Sequence, residues 1–314
     1  MWARDLYCMF LTKKGFSKDT AESVTNQIVQ YVTGCFILSE QDVTPVEYIR
    51  DYWSGSGEIL IANYQNIPLI IKSRCRSGGK KPNDQVDNEF EFMMCLAADV
   101  SKHLILPIGV CFGDNFECVQ FLAFEKWHTK NLSSFVWTRY FHLPFKTKLN
   151  MFNQIVCGLK VLHDKGIVHR DMCLENVLTR DLTMTHVALA DLGVSEYHDE
   201  MSMSGTVGHT SCQPLSQEPI SFQYDFYGLG HIARGLFYRD MIMDAKLAKD
   251  AIDKFQETHT LEEMSKFTTA ESLMMEILHI PPQTILTLIE NCCSENPRLR
   301  PSNCADILQI LSNV

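Results

Sequence analysis

The sequence contains no long hydrophobic run. Its uncharged apolar stretches, such as residues 32–38, are far shorter than the roughly 20 residues that a membrane-spanning helix needs. The chain also shows no secretory leader, no low-complexity tail and no internal repeat. We therefore expect neither a membrane span nor a repeat architecture.

The cysteines do not form an ordered framework. The chain has 12 of them, scattered along its length and in several cases placed inside apolar runs. Cys292 and Cys293 are adjacent within a helical pattern, and no set of Cys and His residues has the spacing of a zinc site. This distribution favours reduced thiols over disulfides, so we expect a cytoplasmic, reducing location.

A surplus of basic residues is also missing. The chain has 28 Lys and Arg against 38 Asp and Glu, a formal net charge of −10. This balance argues against a general nucleic-acid binder. A chain of 314 residues that is 46% hydrophobic can bury a large core, which fits one two-lobed domain or two ordinary domains.

The residues with the clearest chemical pattern lie between 169 and 193. The chain runs His169-Arg170-Asp171, places Asn176 five positions after Asp171, and continues to Asp191-Leu192-Gly193. Apolar residues at helical spacing precede this segment, and two short apolar stretches predict strands at 177–178 and 187–190. Phosphoryl transfer needs one carboxylate at the acceptor hydroxyl, and a second carboxylate with an amide to hold Mg²⁺.

This segment resembles the catalytic core of the eukaryotic protein kinase superfamily, whose pattern is H-R-D-x-x-x-x-N followed by D-F-G. The resemblance implies an α+β, bilobal fold with a small β-rich N-lobe, one key helix in that lobe, and a larger, mainly helical C-lobe. We expect a helical N-terminal extension over residues 1–50, the N-lobe over 51–126 and the C-lobe over 127–314. The resemblance also implies ATP and Mg²⁺ as cofactors.

In the predicted N-lobe, a Gly-x-Gly is followed by a hairpin that ends in a lysine, and then by a helix that carries glutamates. The lysine resembles the kinase V-A-I-K lysine, and Glu89 is the candidate partner of Lys72, with Glu91 the weaker one. The chain then crosses between lobes near residues 124–127. The residues that the resemblance assigns to ATP are Gly55, Gly57, Lys72, Glu89, Glu125 and Trp127.

By the same resemblance, Asp171 would be the catalytic base and Lys72 would pair with phosphates, while Asn176 and Asp191 would hold magnesium. Structural or regulatory roles fall to His169, Arg170, Thr206, Gln213, Asp225 and Arg300. Arg170 would clamp a phosphorylated activation segment. The candidate hydroxyls in that segment are Ser195, Tyr197, Ser202 and Ser204, and for any single one of them the alternative of an unmodified, solvated loop is favoured.

The sequence departs from the family pattern at several positions. The third glycine of the Gly-rich loop is replaced by Leu60, and Glu58 would repel phosphates. Cys173 stands where Ser/Thr kinases carry a lysine, which removes one cation from the transferred phosphate. Gln213 replaces the glutamate of A-P-E, and Leu192 replaces the phenylalanine of D-F-G.

These features leave two hypotheses. The first is an active protein kinase that acts on a protein substrate, with Thr206 favouring Ser/Thr specificity. It rests on the survival of five core groups, Lys72, Glu89, Asp171, Asn176 and Asp191. The second is a pseudokinase, a nucleotide-responsive scaffold or allosteric partner, which Cys173 and the poor glycine loop favour. A third reading, transfer to a small molecule, is weaker, and the sequence does not indicate an oligomeric state.

Overall fold

The fold is seen in a computed structural model. It describes residues 12, 17–19, 36–48, 58–73, 85–96, 101–113, 118–127, 131–136, 143–180, 185–198, 220–237 and 281–314.

A six-stranded sheet forms the first part of the molecule, in the order β1-β5-β6-β4-β3-β2. Its strands are β1 (Phe36–Ile37), β2 (Thr44–Tyr48), β3 (Glu58–Tyr64), β4 (Ile67–Ser73), β5 (Gly109–Phe112) and β6 (Val119–Glu125). The predicted hairpin between β3 and β4 is present, with the pair Ile59 and Lys72 in register. Gln65 and Asn66, both with positive φ, form its two-residue turn.

The prediction of a helical segment through residue 50 is wrong for Phe36–Ile37 and Thr44–Tyr48. These residues form β1 and β2, which pair with β5 and β3, so the sheet extends beyond the predicted lobe boundary at residue 51. Pro45 is tolerated in β2 because β2 is an edge strand of the sheet. The helical pattern predicted at residues 24–32 lies outside the described residues.

The rest of the described chain is mainly helical. Its α-helices are α1 (Gln85–Leu96), α2 (Leu132–Val136), α3 (Phe145–Asp164), α4 (Gln223–Phe237), α5 (Gln283–Cys292) and α6 (Cys304–Ser312). Of these, α1 packs on the six-stranded sheet and the other five belong to the second part. None of the described helices combines the length and apolar character needed to cross a bilayer. The architecture is therefore the α+β, two-part arrangement that the sequence predicts.

Helix α3 is the centre of the helical part. The sequence shows an apolar stripe at helical spacing in α3, and five of its residues are buried: Phe152, Ile155, Val156, Leu159 and Leu162. The sixth, Leu149, is half-buried and packs against the same core. Gly166 ends the helical segment with a φ of 73°, a conformation that favours glycine. The chain then enters β7 (Ile167–Val168), which leads directly to the loop of Asp171.

Two short antiparallel strand pairs hold the loops of the candidate site. Strand β8 (Val177–Thr179) pairs with β9 (Val187–Leu189), and β7 pairs with β10 (Glu196–Tyr197). The two strands predicted after Asn176 are thus confirmed. Gly228 lets α4 approach the same region, because a Cβ there would lie 2.5 Å from the carbonyl oxygen of Met172.

Candidate active site

Lys72 lies at the centre of the candidate site. It projects from β4 with only 5% of its surface exposed. Its Nζ atom is 2.7 Å from Glu89 Oε2 on α1 and 2.7 Å from Asp191 Oδ1, which follows β9. The predicted pair of Lys72 and Glu89 is therefore present, and the fold brings together three residues that are far apart in the sequence.

Burial and charge act against each other in this group. Burial alone would lower the pKa of Lys72, but the carboxylates of Asp191 and Glu89 raise it above its ordinary value. For Asp191, burial acts to raise the pKa, but the positive charge of Lys72 outweighs burial and the pKa is lowered. For Glu89, burial outweighs the charge of Lys72 and the pKa is raised. The stability from the Lys72–Asp191 pair is lost only below about pH 4 or above about pH 10, so it is fully present at neutral pH.

The loop of Asp171 is held by its own side chains. The amide nitrogen of Asn176 donates to both the carbonyl oxygen and Oδ2 of Asp171, each at 2.8 Å. The backbone N–H of Asp171 donates to Nδ1 of His169 at 3.2 Å. Because Nδ1 accepts this hydrogen bond, the proton of the imidazole ring is on Nε2. Nε2 lies 3.1 Å from the carbonyl oxygen of Ala190, to which it donates. His169 is fully buried and links the two loops that carry Asp171 and Asp191.

The carboxylate of Asp225 binds the backbone of the loop that carries Asp171. Asp225 lies in the first turn of α4 and has no exposed surface. Its carboxylate accepts from the backbone N–H groups of His169 and Arg170, each at 2.8 Å, and lies 2.8 Å from Nε2 of His163. The structural role predicted for Asp225 thus has a direct geometric basis, because a buried carboxylate needs such donors.

Arg170 already has an acidic partner in this structure. It has a φ of 67° and forms an ion pair with Glu196 in β10. Ser195, one of the predicted phosphate acceptors, has no exposed surface, and its hydroxyl donates to the carbonyl oxygen of His169 at 3.3 Å. In this conformation Ser195 is inaccessible to a kinase, which corrects that prediction, while Ser202 and Ser204 lie outside the described residues.

The predicted crossing between lobes carries a small surface cluster. Glu125, at the end of β6, has its Oε1 atom 3.2 Å from NH2 of Arg180. The guanidinium of Arg180 lies 5.8 Å from the centre of the Trp127 ring. The side chains of Glu125 and Trp127 thus face Arg180, a residue that the sequence analysis did not single out because the contact depends on the path of the chain.

Arg300 has a purely structural environment. Its guanidinium donates to the carbonyl oxygens of Ser294 at 2.9 Å and Gln223 at 2.7 Å, and lies 4.7 Å from the centre of the Tyr227 ring. It therefore ties the end of α5 to the start of α4. Its predicted partner Gln213 lies outside the described residues, as do Gly55, Gly57 and Thr206.

Asp191 and Asn176 carry oxygen atoms of the type that Mg²⁺ prefers. Since Nδ2 of Asn176 faces Asp171, the amide oxygen is the atom that this residue can offer to a cation, and Asp191 supplies a carboxylate. Mg²⁺ prefers oxygen ligands and usually retains waters or phosphates in its shell. Among the described residues, no group of three or more His, Cys, Asp or Glu side chains is placed to hold a metal by itself.

Cys173 lies between two acidic residues at the candidate site. Its pKa is raised, chiefly by burial and then by the charges of Asp171 and Glu175. The reactive form of a cysteine is the thiolate. A thiol in these surroundings stays protonated at neutral pH, and the structure therefore argues against Cys173 as a site of thiol modification.

We expect Cys173 to resist alkylation in the folded protein. At pH 8, iodoacetamide should modify Cys173 at least about tenfold more slowly than in the urea-unfolded chain, because burial and the two carboxylates suppress the thiolate. Peptide mass spectrometry after timed quenching would measure both rates. Equal rates in the folded and unfolded chain would contradict the environment described for this thiol.

Most of the chain is similar to proteins of known family. A family model described as the protein kinase domain matches residues 63–312. A probable serine/threonine-protein kinase of Dictyostelium discoideum is 26% identical over 222 residues, which is 68% of this chain and 47% of that protein. The dual specificity testis-specific protein kinase 2 of Homo sapiens is 27% identical over 169 residues, 51% of this chain and 27% of that protein.

A third relative is similar to this chain over a shorter stretch. The serine/threonine-protein kinase polo of Drosophila melanogaster is 32% identical over 108 residues, 33% of this chain and 18% of that protein. The chain therefore spans less than half the length of these curated relatives.

Proposed function

The chain belongs to the protein kinase family, and on that premise we propose that it transfers the γ-phosphoryl group of ATP to a serine or threonine hydroxyl of a protein substrate. The observation that carries this proposal is the position of Lys72, 2.7 Å from both Glu89 and Asp191. This arrangement holds a cation where phosphates would bind, close to the loop that carries Asp171 and Asn176. Binding and charge neutralisation supply most of the acceleration in phosphoryl transfer.

Each residue of the group has a role in this proposal. Lys72 neutralises the α and β phosphates, and Glu89 directs its ammonium. Asp191 and Asn176 would hold Mg²⁺, and a bound Mg²⁺ would supply positive charge against the phosphates. Asp171 accepts or orients the proton of the acceptor hydroxyl, and its carboxylate is kept in place by the amide of Asn176 at 2.8 Å.

The choice of acceptor rests on less direct support. Two of the relatives are named as serine/threonine-protein kinases, and Thr206 stands where Ser/Thr kinases carry a threonine. The described cysteines are free thiols, which supports the proposal of a reducing, cytoplasmic location. A protein substrate or signalling partner is part of the same proposal.

A second candidate function is a nucleotide-responsive module without transferase activity. The observation in its favour is Cys173, which is neutral and lies beside Asp171, where Ser/Thr kinases place a lysine. Without that cation, one charge that would stabilise the transferred phosphate is missing. Such a module would bind ATP and signal through its conformation.

Transfer of labelled phosphate separates the two candidates. The purified chain would be incubated with γ-labelled ATP and a general Ser/Thr substrate such as casein, with Mg²⁺ or with EDTA, and incorporation into substrate and into the chain itself would be counted. The proposed kinase requires Mg²⁺-dependent incorporation on phosphoserine or phosphothreonine. A rise in melting temperature with ATP and Mg²⁺, but without any incorporation, would instead favour the module.

A lysine at position 173 should increase the rate. In Cys173→Lys, an ammonium would restore the cation on the transferred phosphate, and we expect kcat to rise by about tenfold to a hundredfold. Cys157→Lys is the matched control, since it adds the same charge on α3, away from the site. Equal turnover of Cys173→Lys and the natural chain, in a protein that is otherwise active, would refute this account of Cys173.

A further inference from the structure

We propose that residues 36–43 form a strap across the six-stranded sheet that holds β2 against β3, with Leu38 as the positioning residue of the strap. The effect that we assign to the strap is on nucleotide affinity, and that part rests on the proposed function. The strap itself does not rest on it, because its contacts lie on the face of the sheet that points away from the candidate site.

The strap joins the two edges of the sheet. Strands β1 and β2 follow each other in the chain but lie at opposite edges, so residues 38–43 must pass across the strands between them. At one edge, Phe36 pairs with Gly109 of β5, and the backbone N–H of Leu38 donates to the carbonyl oxygen of Val110 at 2.8 Å. At the other edge, β2 pairs with β3 along its whole length.

Leu38 identifies the face that the strap crosses. Its side chain is buried, and Val43 at the far end of the strap packs against the same apolar cluster. Successive side chains of a strand point to opposite faces, so the cluster member Ile71 and its neighbour Lys72 do too. The strap therefore lies on the face opposite to Lys72. The cluster draws on four strands and includes Leu60, Leu69, Ile71, Cys111, Phe121 and Ala123.

Gly109 supplies the space that Leu38 fills. A Cβ atom at position 109 would lie 2.7 Å from Cδ1 of Leu38 and 3.3 Å from Cβ of Ala123. The leucine therefore fits because position 109 has no side chain. The strap precedes residue 63, where the match to the family model begins, so this fit is a feature of the present chain rather than of the family pattern.

The rest of the strap is exposed and held by a single turn. Among residues 38–43, Leu38 alone is buried. The backbone N–H and the hydroxyl of Ser39 both donate to Oδ2 of Asp42, at 2.7 and 2.8 Å. A segment with one buried anchor and an exposed turn opens locally at low cost in free energy. Loss of the Leu38 side chain should therefore release the strap without unfolding the sheet.

The consequence of release concerns β2. It is an edge strand of five residues that pairs only with β3, and a strand this short depends on its surroundings for stability. Residues 49–57 join β2 to β3 and include Gly55 and Gly57, which are predicted to approach phosphates. When the strap is closed, both ends of this connection are fixed. When it is open, β2 can separate from β3, and ordering the connection around a nucleotide costs affinity.

Alkylation of Cys111 tests the strap directly. The thiol is 3% exposed, and its pKa is raised to about 11, first by burial and then by the negative charges of Glu40 and Asp42 in the strap. In Leu38→Ala, iodoacetamide at pH 8 should modify Cys111 at least about tenfold faster than in the natural chain, since opening exposes the thiol and removes those charges. Cys304, which is equally buried in α6, is the reference within the same molecule and should react at an unchanged rate.

Two further variants sharpen this test. Ile67→Ala is the matched control, because it removes a similar side chain from an exposed position at the start of β4, and it should leave the Cys111 rate unchanged. In Gly109→Ala, the added methyl group should displace Leu38 and accelerate the reaction of Cys111. When both Leu38 and Gly109 are replaced by Ala, that methyl group enters the space that Leu38 left, so the double variant should react no faster than Leu38→Ala.

Three results would overturn the strap. The first is a Cys111 rate in Leu38→Ala that matches the natural chain. The second is equal acceleration at Cys111 and Cys304, which would indicate a general loss of stability instead of local opening. The third is a double variant that reacts faster than either single variant, since Leu38 and position 109 would then not share one space.

Nucleotide titration and steady-state kinetics test the positioning role. In Leu38→Ala, we expect Kd and KM for ATP to rise by about threefold to tenfold, while kcat and KM for the protein substrate stay the same. If the natural chain transfers no phosphate but the Cys111 result and the rise in Kd hold, the proposed function fails and the strap stands. If Leu38→Ala opens the strap but keeps the natural Kd and KM for ATP, the strap does not position β2 for nucleotide and the proposal is wrong.

Discussion

Replacing Asp171 with Asn is expected to lower kcat for phosphoryl transfer by about a thousandfold, within the usual range for loss of a general base. The amide has nearly the same shape as the carboxylate but cannot take the hydroxyl proton. In the structure, Oδ2 of Asp171 accepts from Asn176 at 2.8 Å, and the variant can keep that hydrogen bond through its amide oxygen. ATP binding should therefore persist. The measurement is single-turnover transfer together with nucleotide titration.

Asp164→Asn is the control for this prediction. Asp164 is an exposed carboxylate at the end of α3 that pairs with Lys160 one turn earlier, so its loss should leave kcat unchanged. A natural chain and an Asp171→Asn variant with equal, measurable rates would show that the observed transfer does not use Asp171. Equal absence of transfer from both, with ATP binding retained, would favour the nucleotide-responsive module.

Replacing Asp225 with Ala is expected to cost about 4 kcal/mol of the free energy of unfolding. The carboxylate has no exposed surface and satisfies the backbone N–H groups of His169 and Arg170. Alanine would leave those buried donors without their acceptor and would remove the partner of His163. The same change should release the loop of Asp171. Urea unfolding followed by circular dichroism gives the difference, and hydrogen exchange at residues 169–171 reports the loop.

The control for Asp225→Ala is Asp164→Ala, which removes a solvent-exposed ion pair with Lys160. It should change the free energy of unfolding by less than about 0.5 kcal/mol. A loss below about 1 kcal/mol for Asp225→Ala would mean that the donors find other acceptors. That outcome would contradict the anchoring role assigned to Asp225.

The sequence was sufficient for the local elements near the site. The helical spacing of apolar residues predicts α3, and the structure buries that apolar stripe. The apolar residues around positions 178 and 188 predict β8 and β9. The motif also places Asp171, Asn176 and Asp191 on adjacent loops. These features depend on contacts between residues close in the chain, and a pattern of residue types is enough to specify them.

The prediction for residues 1–50 was weaker. Strands β1 and β2 are short, and each exists because another part of the chain supplies its partner: β5 for β1 and β3 for β2. A strand this short has no stability of its own, so local periodicity is a poor guide to it. The pairing partner, rather than the local pattern, decides its structure.

The sequence by itself determined the family, the chemical types of residue at the site and the helices and hairpins around them. Only the tertiary structure decided that Glu196 pairs with Arg170, that Ser195 is buried and that Asn88 binds the backbone after Asp191. The physical reason is distance along the chain. Hydrogen bonds such as that between Asn88 and Gly193 join residues 105 positions apart, and no local preference encodes which side chain will meet which carbonyl oxygen.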